Sequence, residues 1–337
     1  EELGAKVATA SSIIAKNSGS EIKHSYPSIN SCSAALTPAA IESLLDSPTI
    51  KKIYLDREVR TLLDVARPAV KANSPSVNNL SGKGITIAVL DTGIYAHQDL
   101  AGRIKAFKDF TGNKLAAYDD NGHGTHCAGD AAGNGAASQG KYTGLAPEAD
   151  IVGVKVLNKM GSGLLSTVMA GVQWCIDNKE KYNIRVISLS LGSSARGSYQ
   201  QDPLVSIVEK AWDNGIVVVA AAGNEGPGEK TISSPGISPK VITVGAMDDK
   251  NTVTRADDQV ADFSSRGPTI DDILKPDLLS PGVDIVSLRS PQSLLDKKHK
   301  NNRVDSDYFT LSGTSMATPI CAGVVALILE THPTLTP

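Results

Sequence analysis

The sequence predicts an α/β protein, a doubly wound and mostly parallel sheet preceded by a small α+β module. Two observations carry the prediction. From Ile85 onward, short apolar runs alternate with amphipathic helical stretches, which is how strands buried on both faces and their covering helices read. Before that point the pattern is shorter and mixed. With 337 residues, 41% of them hydrophobic and 20% charged, the chain can bury a sizeable core and has room for a second, small unit.

Glu1 to about Ser18 carries Ala and Ile at helical spacing, and Ser31 to Leu36 reads as a short strand. Thr37-Pro38 looks like an N-cap followed by proline at the first helical position, opening a helix from Ala39 to Leu45. Ile50 to Leu55 alternates apolar and polar residues as a half-buried strand does. These elements make up a module over residues 1–63. Residues 64–84, with Pro68, Ser74-Pro75, Asn78-Asn79 and Ser81-Gly82, are turn-rich and read as a linker. Over 85–337 the expected strands are Ile85 to Leu90, Ile151 to Val156, Val186 to Leu191, Ile216 to Ala221, Val241 to Val244 and Ile285 to Leu288. The expected helices include Ser166 to Asn178 and Asp202 to Asp213. In such a sheet, chemistry gathers at the carboxyl ends of the strands.

Net charge is -3, with no basic run or basic amphipathic helix, so there is no footprint for nucleic acid or an anionic membrane. No uninterrupted run of about 18 apolar residues suggests a membrane span, and a monomer is expected. Glu1 opens the chain without a charged and then apolar leader, so no secretory signal is visible and the start reads as an internal cut. The compartment stays open between secreted and cytoplasmic. Cys32, Cys127, Cys175 and Cys321 lie far apart, which argues against a zinc cluster and a disulfide scaffold and for buried thiols.

Three motifs carry chemistry. Asp91 ends the first long apolar run in Val89-Leu90-Asp91-Thr92-Gly93, and an acid there needs a donor or cation. His123 and His126 lie in Asn121-Gly122-His123-Gly124-Thr125-His126. They have no third ligand at helical spacing, and the glycines flanking His123 allow close approach. Ser315 lies in Gly313-Thr314-Ser315-Met316-Ala317-Thr318-Pro319, ahead of the apolar run Ile320 to Leu329. That places it where a loop becomes a helix, whose unpaired N–H groups favour negative charge on a neighbouring oxygen. Together they supply what acyl transfer needs: a hydroxyl nucleophile, an imidazole to take its proton and a carboxylate to orient the imidazole. An esterase elbow, Gly-x-Ser-x-Gly, is excluded because Ala317 stands where its second glycine belongs.

These blocks, in the order Asp, His, Ser, resemble the catalytic blocks of subtilisin-like serine proteases. The resemblance implies that Ser315 is the nucleophile, His123 the general base, Asp91 the orienting acid and His126 structural. It also makes Asn224, in Ala221-Ala222-Gly223-Asn224-Glu225-Gly226, the oxyanion donor. Gly161, Ser162 and Gly163, with Ser190, Leu191 and Gly192, then form a channel for polypeptide substrates. Ser190 to Gly192, with Ala222 and Gly223, wall a pocket for large apolar side chains, and Glu225 near its mouth or base admits basic ones. A catalytically silent binding protein with the same fold is the alternative.

Residues 1–63 resemble the inhibitor-type prosegment of the same family, through Ile29 to Ala34, Leu36 to Leu45 and Ile50 to Val59. The implied fold is a ferredoxin-like βαββαβ module, truncated at its start, that assists folding and then blocks the cleft as an intramolecular inhibitor. Self-cleavage is expected near Leu62-Leu63-Asp64, at the Leu63–Asp64 bond. No cofactor is needed for catalysis, but structural calcium is common in the family. Gly133 to Gly144 lacks the acids of the usual calcium loop, which leaves Asp99 as a candidate ligand. Cys127 and Cys321, just past the catalytic His and Ser, point to a bacterial alkaline-protease branch with free thiols. Thr336-Pro337 reads as the start of a further C-terminal helix.

Overall fold

The computed structural model describes residues 10–53, 58–61, 79–250, 252 and 255–337. Residues 10–16 are helical. Strands β1 (Glu21–Tyr26) and β2 (Ser31–Ala35) then form an antiparallel pair, followed by helix α1 (Pro38–Leu45). The Thr37 hydroxyl accepts from Ala40 N, and proline opens the helix, as the sequence suggested. The strand expected from Ile50 does not form over the described part. Residues 51–53 are exposed and irregular, following the turn closed by Ile50 N to Ser47 O. Residues 54–55 lie outside the described residues. Strand β3 (Glu58–Thr61) follows.

The catalytic half opens with β4 (Thr86–Asp91), β5 (Ile104–Asp109), helix α2 (His123–Ala132), β6 (Asp150–Lys155), β7 (Ser162–Leu164) and helix α3 (Leu165–Asp177). It continues with β8 (Ile184–Leu189), β9 (Leu191–Ser194), helix α4 (Pro203–Asp213), β10 (Val217–Ala221), β11 (Ser233–Ser234), β12 (Ile242–Asp248) and β13 (Gln259–Val260). It ends with β14 (Leu278–Pro281), β15 (Ile285–Leu288), helix α5 (Leu294–Lys298), β16 (Tyr308–Leu311) and helix α6 (Thr314–Thr331). The central sheet has eight strands in the order β13-β12-β10-β8-β4-β6-β5, with β14 also on β12. All its pairings are parallel except β12 with β13.

Both faces of this sheet are buried, and successive residues serve opposite sides. Ile87, Val89, Val217 and Val219 join the core under α2 and α6. Ala88, Leu90, Val218 and Ala220 join the one under α3 and α4. That is the physical reason the strands read as continuous apolar runs. Helix α6 is long and apolar enough to cross a membrane by composition, but 78% of it is buried in the molecule; its apolarity serves the core. The run from Ile285 is a strand, yet it pairs antiparallel with β16 outside the central sheet, a correction to its expected place.

The N-terminal module docks on α3 and α4. Tyr26 is 1% exposed, and its hydroxyl donates to Ser166 O at 2.8 Å. Gln173 Nε2 donates to Ser28 Oγ at 2.9 Å. Strand β3 leaves this module and lies between β7 and β9, antiparallel to both.

Candidate active site

β4 lies between β6 and β8, so the chain crosses to opposite sides of it and a crevice opens at its carboxyl end. Asp91 occupies that end, 1% exposed, and its Oδ1 accepts from Thr92 N at 2.6 Å. Gly93 (φ +117°) and Gly124 are required here by close approach. A Cβ on Gly93 would meet Tyr118 O at 2.1 Å, and one on Gly124 would meet Gly93 O at 2.3 Å. Their absence of side chains lets the strand end and the start of α2 touch.

His123 is the first residue of α2 and fully buried. Its Nδ1 lies 2.8 Å and 3.0 Å from the two Asp91 oxygens, so Nδ1 carries the proton and Nε2 is left as the acceptor in the neutral ring. Among the described residues Nε2 has no hydrogen-bond partner. Burial alone pushes the imidazole's affinity for a proton down, but the Asp91 carboxylate beside it reverses this and holds the pKa well above the ordinary histidine value. Cys127 lies 3.8 Å from Nδ1. Burial pushes its thiol up to about 11, so it is a neutral neighbour at pH 7.

Ser315 is the second residue of α6 and fully buried. Pro319, four residues on, has no N–H to give to Ser315 O. That freed carbonyl instead accepts from Ser190 Oγ at 2.7 Å and from the Cys127 thiol at 3.5 Å. Ser315 Oγ in turn donates to Ser190 O at 3.2 Å. Ser190 therefore holds Ser315 through both its hydroxyl and its carbonyl. The structure brings Asp91 to His123 but rests the Ser315 hydroxyl on Ser190 O, not on His123 Nε2. Such links tighten when substrate binds.

Asn224 follows β10. Its Oδ1 accepts from Thr314 N and Thr314 Oγ1, both at 3.0 Å, which fixes the amide orientation. Nδ2 is left buried and, among the described residues, without a partner. The Thr314 that orients it directly precedes Ser315, so the donor is tied to the nucleophile's own helix.

The expected channel residues come together around β3. Val59 pairs with Gly163, Arg60 with Ser162 and Gly192, and Thr61 with Leu191. Gly161 closes the turn before β7. Gly223 N donates to Thr314 Oγ1 at 3.3 Å, and Ala222 is buried beside it. Glu225 is exposed and accepts from Ser194 Oγ at 2.9 Å. Leu63 and Asp64 lie outside the described residues.

Asp99, the candidate calcium ligand, is fully buried. Its oxygens accept from Gly135 N at 3.1 Å, Ala137 N at 2.8 Å and the Tyr308 hydroxyl at 2.7 Å. A calcium site needs six or more converging oxygens, whereas this carboxylate faces hydrogen-bond donors and anchors the 133–144 loop. Asp91, His123 and Cys127 place ligand atoms within 4.8 Å of one another, but the first two spend theirs on each other and the thiol is protonated. His126 lies between Asp130 Oδ2 at 3.0 Å and the carbonyls of Ile285 and Phe309 at 3.0 and 3.1 Å, tying α2 to the β15–β16 pair. All four cysteines are free, and Cys127, Cys175 and Cys321 are buried.

Residues 82–337 match the subtilase family, and residues 4–62 match the peptidase inhibitor I9 family. The chain belongs to the subtilase family. It is 56% identical to serine protease AprX of Bacillus subtilis, over 97% of this chain and 76% of that one. It is 35% identical to a thermostable alkaline protease of Halalkalibacterium halodurans, over 94% and 77%. Among solved structures it is similar to sphericase, with TM-score 0.64, 36% identity and coverage of 76% and 80%. It is also similar to the S41 psychrophilic protease, with TM-score 0.64, 35% identity and coverage of 79% and 84%. The α/β subtilisin fold, the serine endopeptidase class and the I9-type prosegment follow; the silent alternative finds no support. As a subtilase the chain acts on polypeptides without a catalytic cofactor, and its prosegment inhibits it.

Sequence reasoning missed three contributors. Asp119, Thr92 and the double grip of Ser190 act through residues far away along the chain. Only Pro319 and the acids just before His123 signalled them.

Proposed function

We propose that Ser315 attacks the peptide carbonyl, His123 takes its proton, Asp91 holds and charge-balances the imidazole, and Asn224 donates to the oxyanion. The observation that carries this is a pair of buried, unpartnered polar atoms. Among the described residues His123 Nε2 is a free acceptor and Asn224 Nδ2 a free donor, each held by its other atoms against Asp91 and Thr314. Leaving such atoms unpaired is costly unless a reaction uses them. In the forward step Ser315 Oγ bonds to the carbonyl carbon, and its proton passes to Nε2. The same proton then goes to the departing amine, and water hydrolyses the acyl-enzyme by the reverse route.

Residues 1–63 serve as prosegment, 64–84 as linker and 85–337 as catalytic domain, and the first substrate is the chain itself. The register of β3 supports this. Thr61 lies opposite Leu191, and the carbonyl of the preceding Ser190 touches Ser315 Oγ. The strand thus runs toward the nucleophile, which suits cleavage within Leu62-Leu63-Asp64. Gly161 to Gly163 and Ser190 to Gly192 hold other substrates in the place of β3, with Ala222, Gly223 and Glu225 at the pocket. Every assigned group lies on this chain, so the site is complete without a second copy. A fluorophosphonate tests the reading: it should label the processed protein at Ser315 and leave Ser315→Ala unlabelled, whereas labelling elsewhere or none would overturn it.

A further inference from the structure

Asp119 touches none of the four residues just assigned, yet it sits between the two elements that carry the acid and the base. It is 6% exposed. Its Oδ1 accepts from Thr92 Oγ1 at 2.9 Å, Asn121 N at 3.1 Å and Gly122 N at 2.8 Å. Its Oδ2 accepts from Thr125 N at 2.9 Å and Thr125 Oγ1 at 2.7 Å. Its backbone forms an isolated bridge with Gly93, and its carbonyl accepts from Ser290 Oγ. We propose that Asp119 is a positioning residue of the protease site, setting the Asp91–His123 geometry through Thr92 and the first turn of α2. The proposal rests on the triad reading above.

Two routes lead from this carboxylate to the reacting pair. On the strand side, it accepts a hydrogen bond from the Thr92 hydroxyl, so that oxygen's lone pairs face Gly124 N, which donates to it at 2.9 Å. The Thr92 carbonyl is held by Lys155 Nζ, and the Thr92 amide is the one that donates to Asp91 Oδ1. Rotating Thr92 would therefore rotate the amide that orients the acid. On the helix side, Gly122 offers no side chain to cap α2, and Asp119 accepts from Gly122 N and Thr125 N in its stead. Capping fixes the first turn, and the first residue of that turn is His123. A buried negative charge there also complements the positive end of the helix.

All five side-chain contacts are donors, so the group must accept at both oxygens. Asparagine, of the same size, presents an NH₂ at one of them, whichever way it is turned, and leaves at least one buried backbone N–H facing it. Thr92→Val is isosteric and cuts only the strand-side route, while Thr92→Ser keeps the hydroxyl.

The His123 titration reads the proposal without relying on turnover. It is followed by NMR in the Ser315→Ala protein, where Asp91 and Cys127 face the ring and Asp119 acts only through Thr92 and α2. Asp119→Asn and Thr92→Val should each lower the His123 pKa by about half a unit or more, as the carboxylate contact slackens, and Thr92→Ser should restore it. In the otherwise wild-type enzyme the same two variants should lose about 100-fold in kcat, the scale of a 1 Å misplacement, with KM within about threefold. An unchanged titration in Thr92→Val, or a kcat loss that Thr92→Ser fails to rescue, overturns the proposal. If Asp119→Asn does not fold, Thr92→Val carries the same test. An intact titration in a wild-type protein with no peptidase activity would instead count against the triad reading.

Discussion

At the scale of the residue, His123 is where opposing influences meet. Burial disfavours its cation and Asp91 favours it, with the second stronger. A base must be neutral to take the Ser315 proton, so a raised pKa moves the acid limb of activity upward: the competent form is lost as pH falls through the raised value. The inflection in kcat/KM should lie above about 6.5, the ordinary histidine value. A pH profile with its acid inflection at or below about 6 would contradict the Asp91–His123 coupling. Asn224→Ala should lower kcat by about 10²–10³ with little change in KM, because the donor acts on charge that develops only during reaction. Steady-state kinetics on a peptide amide decide this, and a loss confined to KM would mean the amide binds substrate in its ground state. These four residues were legible because each stands in a local motif whose glycines or small neighbours announce close approach. Asp119, and the hold of Ser190 on Ser315, were not, because they depend on partners 27 and 125 residues away.

At the scale of the element, legibility followed burial. Strands β4, β6, β8 and β10, covered on both faces, appear as apolar runs that need no partner to be recognised. Strand β5, Ile-Lys-Ala-Phe-Lys-Asp, lies at the sheet edge and mixes charge with apolar residues, so periodicity overlooked it. For β15, the composition showed a strand but not its partner, since an apolar run fits a parallel sheet and an antiparallel pair equally. The segment between β15 and β16 is pinned by Asp296, which accepts from Arg289 Nε and Arg303 Nε at 2.6 Å and from Gln292 N at 2.9 Å. It packs on the loop before His123 through Leu294 N to Asp120 O and Leu295 N to Asn121 O. Burial raises the Asp296 pKa, but these donors outweigh it and hold the carboxyl at about 2. Its contribution is thus present above the unfolded value of about 3.9 and lost as pH falls from there toward about 2. Asp296→Asn should cost about 2 kcal/mol, less than a fully buried pair because both arginines keep some solvent. Urea midpoints should separate mutant from wild type at pH 6 and draw together as pH falls toward about 2, and equal midpoints at pH 6 would refute the pinning role.

At the scale of the whole molecule, two of the places where the described halves meet differ in character. β3 makes main-chain pairings with β7 and β9, of the kind an extended peptide makes when it adds to a sheet edge. Tyr26 makes an anchored contact on α3, packing with the core beneath that helix and donating to Ser166 O. The two places separate cutting from release. Ser315→Ala removes the nucleophile and should leave residues 1–63 covalently attached, so an intact mass showing normal cleavage in that protein would refute self-processing. Tyr26→Ala leaves β3 and the triad in place, so the cut should fall at the same bond. It removes a buried aromatic anchor, however, a change that typically costs 2 kcal/mol or more of binding, roughly 30-fold. After cleavage the freed prosegment should therefore leave sooner, and the lag before full peptidase activity should shorten by about that factor, while N-terminal sequencing reports an unchanged new terminus. An unaltered lag would place the whole of the inhibition in the channel strand and none in the docked module.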